Sequence, residues 1–345
     1  MPAGLLEVRG TIDVSQFWPS GRSDADTATV VLTPAGDPIK FRKNDAAPLR
    51  ATHVFNDVFV QGRQGRKEAI KNGHVTIRFQ GIDAAELHFQ PTALSRTEQE
   101  DLSQEKKQAF HKVNHPYRQF LGATSAKGLH DFLATVGTTF DCRVFTEVDK
   151  PSEVFDTYGR LIGDIEIAKN HSMVNLNHWL IEQGWAFPTY YSSMTNEEIT
   201  AIDALAKTAQ SKERGVWKFL SKTVGTFDFD LREPKKNDLS VLANDRGPVL
   251  FPKLYRRFTS WSARHKAQVT DMSFQKFLEG GVAGKPDDCF EIKDFLANGV
   301  HSATRHTFDR FVQSGKTIHF EPGGLVFSEA PSRLVRNGSD VPDQF

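Results

Sequence analysis

The sequence predicts a mixed α+β protein. Strand-like alternation dominates the first 80 residues, strand and helix patterns interleave up to about residue 219, and a smaller, mainly helical segment follows a polar stretch. An apolar fraction of 39%, with 27 phenylalanines, suffices for a sizeable core and excludes a largely disordered chain. At 345 residues the chain exceeds the roughly 100–200 residues of one ordinary domain. The expected division is a first domain over 1–222, a linker over 223–247 and a small α-rich domain over 248–345.

Leu5 to Val14 alternates apolar and polar residues, and Thr27 to Leu32 reads TATVVL, so the chain opens with a β-hairpin. Residues 33–73 read as an insertion that holds the strand-like HVFNDVFVQ and the basic run QGRQGRKEAIKNG, the latter taken as a solvated face. His74 to Ile82 alternates again, and this strand should end near Gly81, where the charged DAAE begins. A longer excursion over 88–122 contains a polar helix from about Ser95 to Val113, with Ser95 and Thr97 as candidate N-caps. A helix over Thr124–Val136 leads to strands near Asp141–Val148 and Arg160–Ala168, joined by the turn DKPSEVFDTYG. VNLNHWLIEQG is a helix with Gly184 as its C-cap, and Thr195 to Lys212 is another. Beyond the linker, FPKLYRRFTSW, SFQKFLEG, EIKDFLANG and RHTFDRFVQSG read as short amphipathic helices, and TIHFEPGGLVF as a hairpin. FPKLYRRFTSW is either a basic contact helix or part of a small core, and core is the favoured reading.

The 43 basic and 43 acidic side chains cancel, so any grip on a polyanion must be local to one cleft. Two cysteines, Cys142 and Cys289, are too few for a disulfide framework or a cysteine-rich zinc site. No basic n-region precedes an apolar h-region, and no apolar run approaches the roughly 20 residues of a membrane span. The expectation is a cytoplasmic protein with no membrane partner.

Two segments carry chemistry. In R-F-Q-G-I-D-A-A-E, Arg78, Asp83 and Glu86 fall within nine positions at a strand end, where the turn after Ile82 redirects the carboxylates. An arginine fork suits a phosphate, an aspartate suits a hard cation, and a nearby free carboxylate suits proton removal from water. In D-T-Y-G-R, Arg160 follows a hairpin turn. Either segment alone is an ordinary polar strand end. His111 and His115 read as solvated loop residues rather than metal ligands.

In this order the two segments resemble the staphylococcal nuclease, or thermonuclease, family, in which a strand reads R-x-x-x-x-D-x-x-E and a later turn reads D-x-Y-G-R. Arg78, Asp83, Glu86, Asp156, Tyr158, Gly159 and Arg160 stand in those places. NHWLIEQGWA and a later GVWK add two further matches, so the resemblance covers roughly Leu5 to Phe219. It implies an OB-fold, a five-stranded β-barrel with three or more helices, acting as a calcium-dependent endonuclease on DNA and/or RNA that leaves a 3′-phosphate. It implies Ca2+ on Asp26, Asp83 and the Ala84 carbonyl, Glu86 as general base, and Arg78 and Arg160 as phosphate clamps. Asp26 is assigned from Asp24-Ala25-Asp26-Thr27, with Asp24 and Asp13 as rivals. Tyr158, Tyr190 and Tyr191 are candidates for substrate binding. Ala84-Ala85 replaces the family's Thr-Pro, which is expected to loosen Glu86. The alternative is a catalytically silent nuclease-fold module that binds nucleic acid or a protein, and a protein partner of the C-terminal segment fits either case.

Overall fold

Five strands close on themselves. In the computed structural model, which describes residues 4–33, 39–43, 51–55, 57–62, 65–226, 229–280, 286–329 and 332–342, β1 (Gly4–Asp13) pairs antiparallel with β2 (Thr27–Leu32). β2 pairs antiparallel with β3 (His74–Phe79), and β3 runs parallel to β5 (Leu161–Lys169). β5 pairs antiparallel with β4 (Thr139–Val148), and β4 returns to β1 in a register running from Gly4↔Val148 to Asp13↔Thr139. The closed order β1-β2-β3-β5-β4 is the OB-like barrel that the resemblance implied, within a mixed α+β chain. The period-2 pattern of the sequence sets the inside face, which carries Leu6, Val8 and Ile12 from β1, Val75, Ile77 and Phe79 from β3, and Val144 and Val148 from β4.

Helix boundaries follow local chemistry. The expected polar helix over 95–113 is two helices, α1 (Arg96–Asp101) and α2 (Gln104–Val113). Ser95 and Glu98 cap the first reciprocally, and the Ser103 hydroxyl accepts from Lys106 N–H to start the second, so a serine in mid-segment acts as a new cap. α3 (Gly122–Ala134) buries Ala123, Ala126, Leu129 and Leu133. α4 (Leu176–Gln183) ends at Gly184 in the left-handed conformation, and Thr195 with Glu198 caps α5 (Asn196–Ser211). Both cysteines are buried and unbridged.

The C-terminal segment forms α6 (Pro252–Lys266), α7 (Phe274–Gly280) and α8 (Ile292–Asn298), matching three of the four expected helices. The fourth is not one. In RHTFDRFVQSG a 3-10 turn at Phe308–Phe311 leads into strand Val312–Gln313, which folds back on Thr317–Ile318 through Ser314 and Gly315, both at positive φ. That pairing also takes Thr317–Ile318 away from the expected TIHFEPGGLVF hairpin. Leu325–Phe327 pairs instead with Asp288–Glu291 and, in parallel, with Tyr190–Tyr191.

Strand pairing also links sequence-distant segments elsewhere. Phe59–Gly62, within the expected insertion, pairs with Arg333–Arg336, and one hydrophobic core contains Ile77, Phe187 and Phe251 together. Part of the expected linker is held as firmly. Asp245 is buried against Arg118 and accepts from the backbone and hydroxyl of Thr124 at 2.9 and 2.8 Å, while Trp18 Nε1 donates to the Lys235 carbonyl at 3.2 Å. No helix among the described residues is long and apolar enough to cross a membrane.

Candidate active site

β3 ends by carrying Arg78 to the rim of the barrel. Gly81, at φ +74, turns the chain in a conformation that favours glycine, and a Cβ there would meet Ile202 Cδ1 at 2.5 Å and Met194 Cε at 2.9 Å, both ends of side chains that can shift. The short strand Ile82–Ala84 then pairs with Ala186–Pro188, with Asp83 opposite Phe187, and this pairing buries Asp83 completely. Glu86 follows. The expected looseness from the missing proline is countered at its backbone, because its carbonyl accepts from Gln119 N–H at 2.8 Å and lies 2.5 Å from where a Cβ on Gly122 would stand. Ala84 and Ala85 are buried beneath it.

The charged side chains meet across the barrel rim. Arg78 Nη2 donates to Asp83 Oδ1 at 3.0 Å. Asp26, just before β2, accepts from Ala84 N–H at 3.0 Å through Oδ2 and from the Thr27 hydroxyl at 3.2 Å through Oδ1. Arg160 Nη1 donates to that same hydroxyl at 3.3 Å while its Nε bonds Asp156 at 2.7 Å. Asp24 is close enough to Asp26 and Glu86 to feel both charges, and its Oδ1 has no hydrogen-bond partner among the described residues. Asp13 lies apart, exposed, accepting from Ser15 N–H at 2.7 Å. Of the three aspartates weighed from sequence, two are therefore at the rim.

Burial and repulsion sort these acids. Burial pushes Glu86 up to about 7, with Asp83 and Asp26 adding and Arg256 opposing. Burial also pushes Asp24 well above the usual carboxylate range, with Asp26 and Glu86 adding. Asp83 is more deeply buried than either, yet the guanidiniums of Arg256 and Arg78 hold it well below that range.

Arg256 is the residue that sequence reading missed. It projects from α6, and its Nη1 donates to Asp83 Oδ1 at 3.1 Å and Glu86 Oε1 at 2.5 Å, its Nη2 to Asp83 Oδ2 at 2.7 Å. Both oxygens of Asp83 are thereby taken, and among the described residues no three histidine, cysteine, aspartate or glutamate side chains gather as a metal site. The one available signal was the Arg-Arg pair inside FPKLYRRFTSW, whose helix also buries Leu254 and Tyr255, so the contact-helix and core readings both describe it.

The three tyrosines separate. Tyr158 is 65% exposed, with Lys67 and Arg160 over its ring at 5.5 and 5.6 Å. Tyr191 is partly buried beneath Lys253, 5.7 Å away. Tyr190 is corrected to a core residue: it is fully buried in the strand paired with Val326 and has no surface for a substrate.

Residues 76–219 match the family model of staphylococcal nuclease homologues. The match takes in Arg78, Asp83, Glu86 and Arg160 and leaves out Asp24, Asp26 and Arg256. No curated protein matches the chain.

Proposed function

We propose that this chain, a staphylococcal nuclease homologue over residues 76–219, is a phosphodiesterase, an endonuclease acting on DNA and/or RNA. One observation carries the reading: Arg78, Asp83 and Glu86 meet Asp26, and through Thr27 Arg160, at the rim of an OB-like barrel, an architecture whose face accommodates single strands. Glu86 is the general base, taking a proton from the water that attacks phosphorus. A carboxyl with a pKa near 7 suits that task better than an ordinary one. Arg78 and Arg160 neutralise the charge that grows on the phosphoryl oxygens. Tyr158 and Tyr191 flank the path as surfaces for a base or sugar.

Calcium is the cofactor this reading carries, with Asp26, Asp83 and the Ala84 carbonyl as its ligands. The side chains do not fit it while Arg256 is seated, since a guanidinium cation already bonds both Asp83 oxygens where the ion would sit. No step above is routed through the ion.

A catalytically silent nuclease-fold module is the second reading, and the pairing of Arg256 with Glu86 is the observation that favours it. The two separate in one assay: purified protein with single- and double-stranded DNA and RNA, in calcium or chelator, beside Glu86→Gln and Arg160→Ala. The expected result is calcium-dependent cleavage, reduced by about 10²–10³-fold in each variant. Activity surviving both substitutions sinks the mechanism, and activity indifferent to calcium removes the ion from the reading.

A further inference from the structure

The site contains a cation of its own, delivered from outside the matched domain. α6 lies beyond residue 219, and its residues at i, i+4 and i+8 all reach back to the segment over 83–98. Arg256 bonds Asp83 and Glu86; the Ser260 hydroxyl accepts from Thr92 N–H at 3.2 Å; Arg264 donates to the Thr92 and Ala93 carbonyls at 2.9 Å each and to Glu98 at 2.9 Å. The adjoining face is pinned by Asp287, which accepts two bonds from Arg257, at 2.8 and 2.7 Å. The helix is thus fixed along its length, with one guanidinium on the acid cluster.

Two features distinguish this guanidinium from a third phosphate clamp. Both of its terminal nitrogens are engaged on Asp83, whereas Arg78 gives Asp83 one and Arg160 bonds Asp156 and Thr27 instead. Its Nη1 also bonds Glu86, so one guanidinium spans both the proposed metal ligand and the proposed base.

We propose that Arg256 is an autoinhibitory plug: α6 seats its guanidinium on Asp83 and Glu86, where it excludes a divalent cation, and calcium and Arg256 compete for these carboxylates. The inference rests on the nuclease reading for its biological meaning, but its physical content is a competition that binding measures directly.

The test is calcium titration of the full chain by isothermal calorimetry, wild type against Arg256→Gln. The variant is expected to bind calcium about tenfold or more tightly than the wild type, since it releases Glu86 and both of the Arg256 bonds to Asp83. Equal affinity within about twofold, or binding by neither protein, overturns the plug. A second measurement needs no variant: hydrogen exchange of the wild type with and without calcium. Faster exchange across 252–266 on calcium addition is expected, and calcium binding with that helix unchanged overturns the proposal. In cleavage assays Arg256→Gln should need less calcium than the wild type, and a variant that binds calcium but loses a cleavage activity the wild type has makes Arg256 a clamp instead. If the calorimetry holds and neither protein cleaves any substrate, the nuclease reading fails while the plug stands.

Discussion

A buried carboxyl is costly wherever it sits, and Glu86 is not alone. Asp164, buried on β5 and accepting from the Asn175 amide at 3.2 Å, is pushed up to about 7 by desolvation, with Glu198 and Glu166 adding. Its folded pKa lies above its unfolded one, so the folded state holds the proton more tightly. The stability this contributes is present at acid pH and lost as pH rises from about 4 to about 7. Asp164→Asn, which cannot ionise, should therefore melt close to the wild type near pH 4 and above it at pH 8; a gap of the same size at both would refute the assignment. Gly81→Ala carries both a positive φ and a collision with Ile202 and Met194, and should cost about 1–3 kcal/mol in denaturant unfolding. At this scale the spacing of Arg78, Asp83, Glu86 and Arg160 was legible because each sits at a strand end or turn whose local sequence fixes its direction. Asp24 stayed a rival to Asp26 because the two are two residues apart in one turn, and only the bonds of Asp26 to Ala84 N–H and the Thr27 hydroxyl tell them apart. Arg256 was illegible because its partner Glu86 is 170 residues away and nothing local to either marks the other.

Among the elements, α6 joins functions that its sequence presented as alternatives. One stripe packs Leu254 and Tyr255 into the core, and another sets Arg256, Ser260 and Arg264 against the segment over 83–98. Arg264→Met removes the bonds to Glu98 and to two carbonyls from an almost fully buried side chain, and a loss of about 1–3 kcal/mol is expected, read as a lower urea midpoint. The excursion over 88–122, which its sequence marks only as a polar helical insertion, forms part of the bed on which α6 lies: Leu94 and Phe110 pack with Ala263 and Ala267. Capped helices were readable because caps are local chemistry. The 306–318 region was not, because Phe308 and Val312 keep a helix-like spacing while the backbone reverses at Ser314 and Gly315.

At the scale of the whole molecule, the expected boundary near 223–247 meets a core shared across it, with Phe187 against Trp217 on one side and Phe251 on the other, at ring-centroid distances of 5.5 and 6.1 Å. A chain truncated after Ser240 loses Phe251, Leu254 and Tyr255 and is expected to aggregate or stay proteolytically open rather than yield an active fragment; the intact chain should show one calorimetric transition. Two well-separated transitions, or a stable fragment, would show that the halves fold independently. The pairing of Phe59–Gly62 with Arg333–Arg336 bears on manufacture as well as architecture. A ribosome lays down the barrel strands and the acid cluster before it reaches Arg256, and the partner of Phe59–Gly62 later still, so during synthesis the carboxylates precede their guanidinium and one sheet edge waits for the last strands. The acid cluster therefore gains its guanidinium, and that sheet edge its partner, only after the C-terminal third has been synthesised.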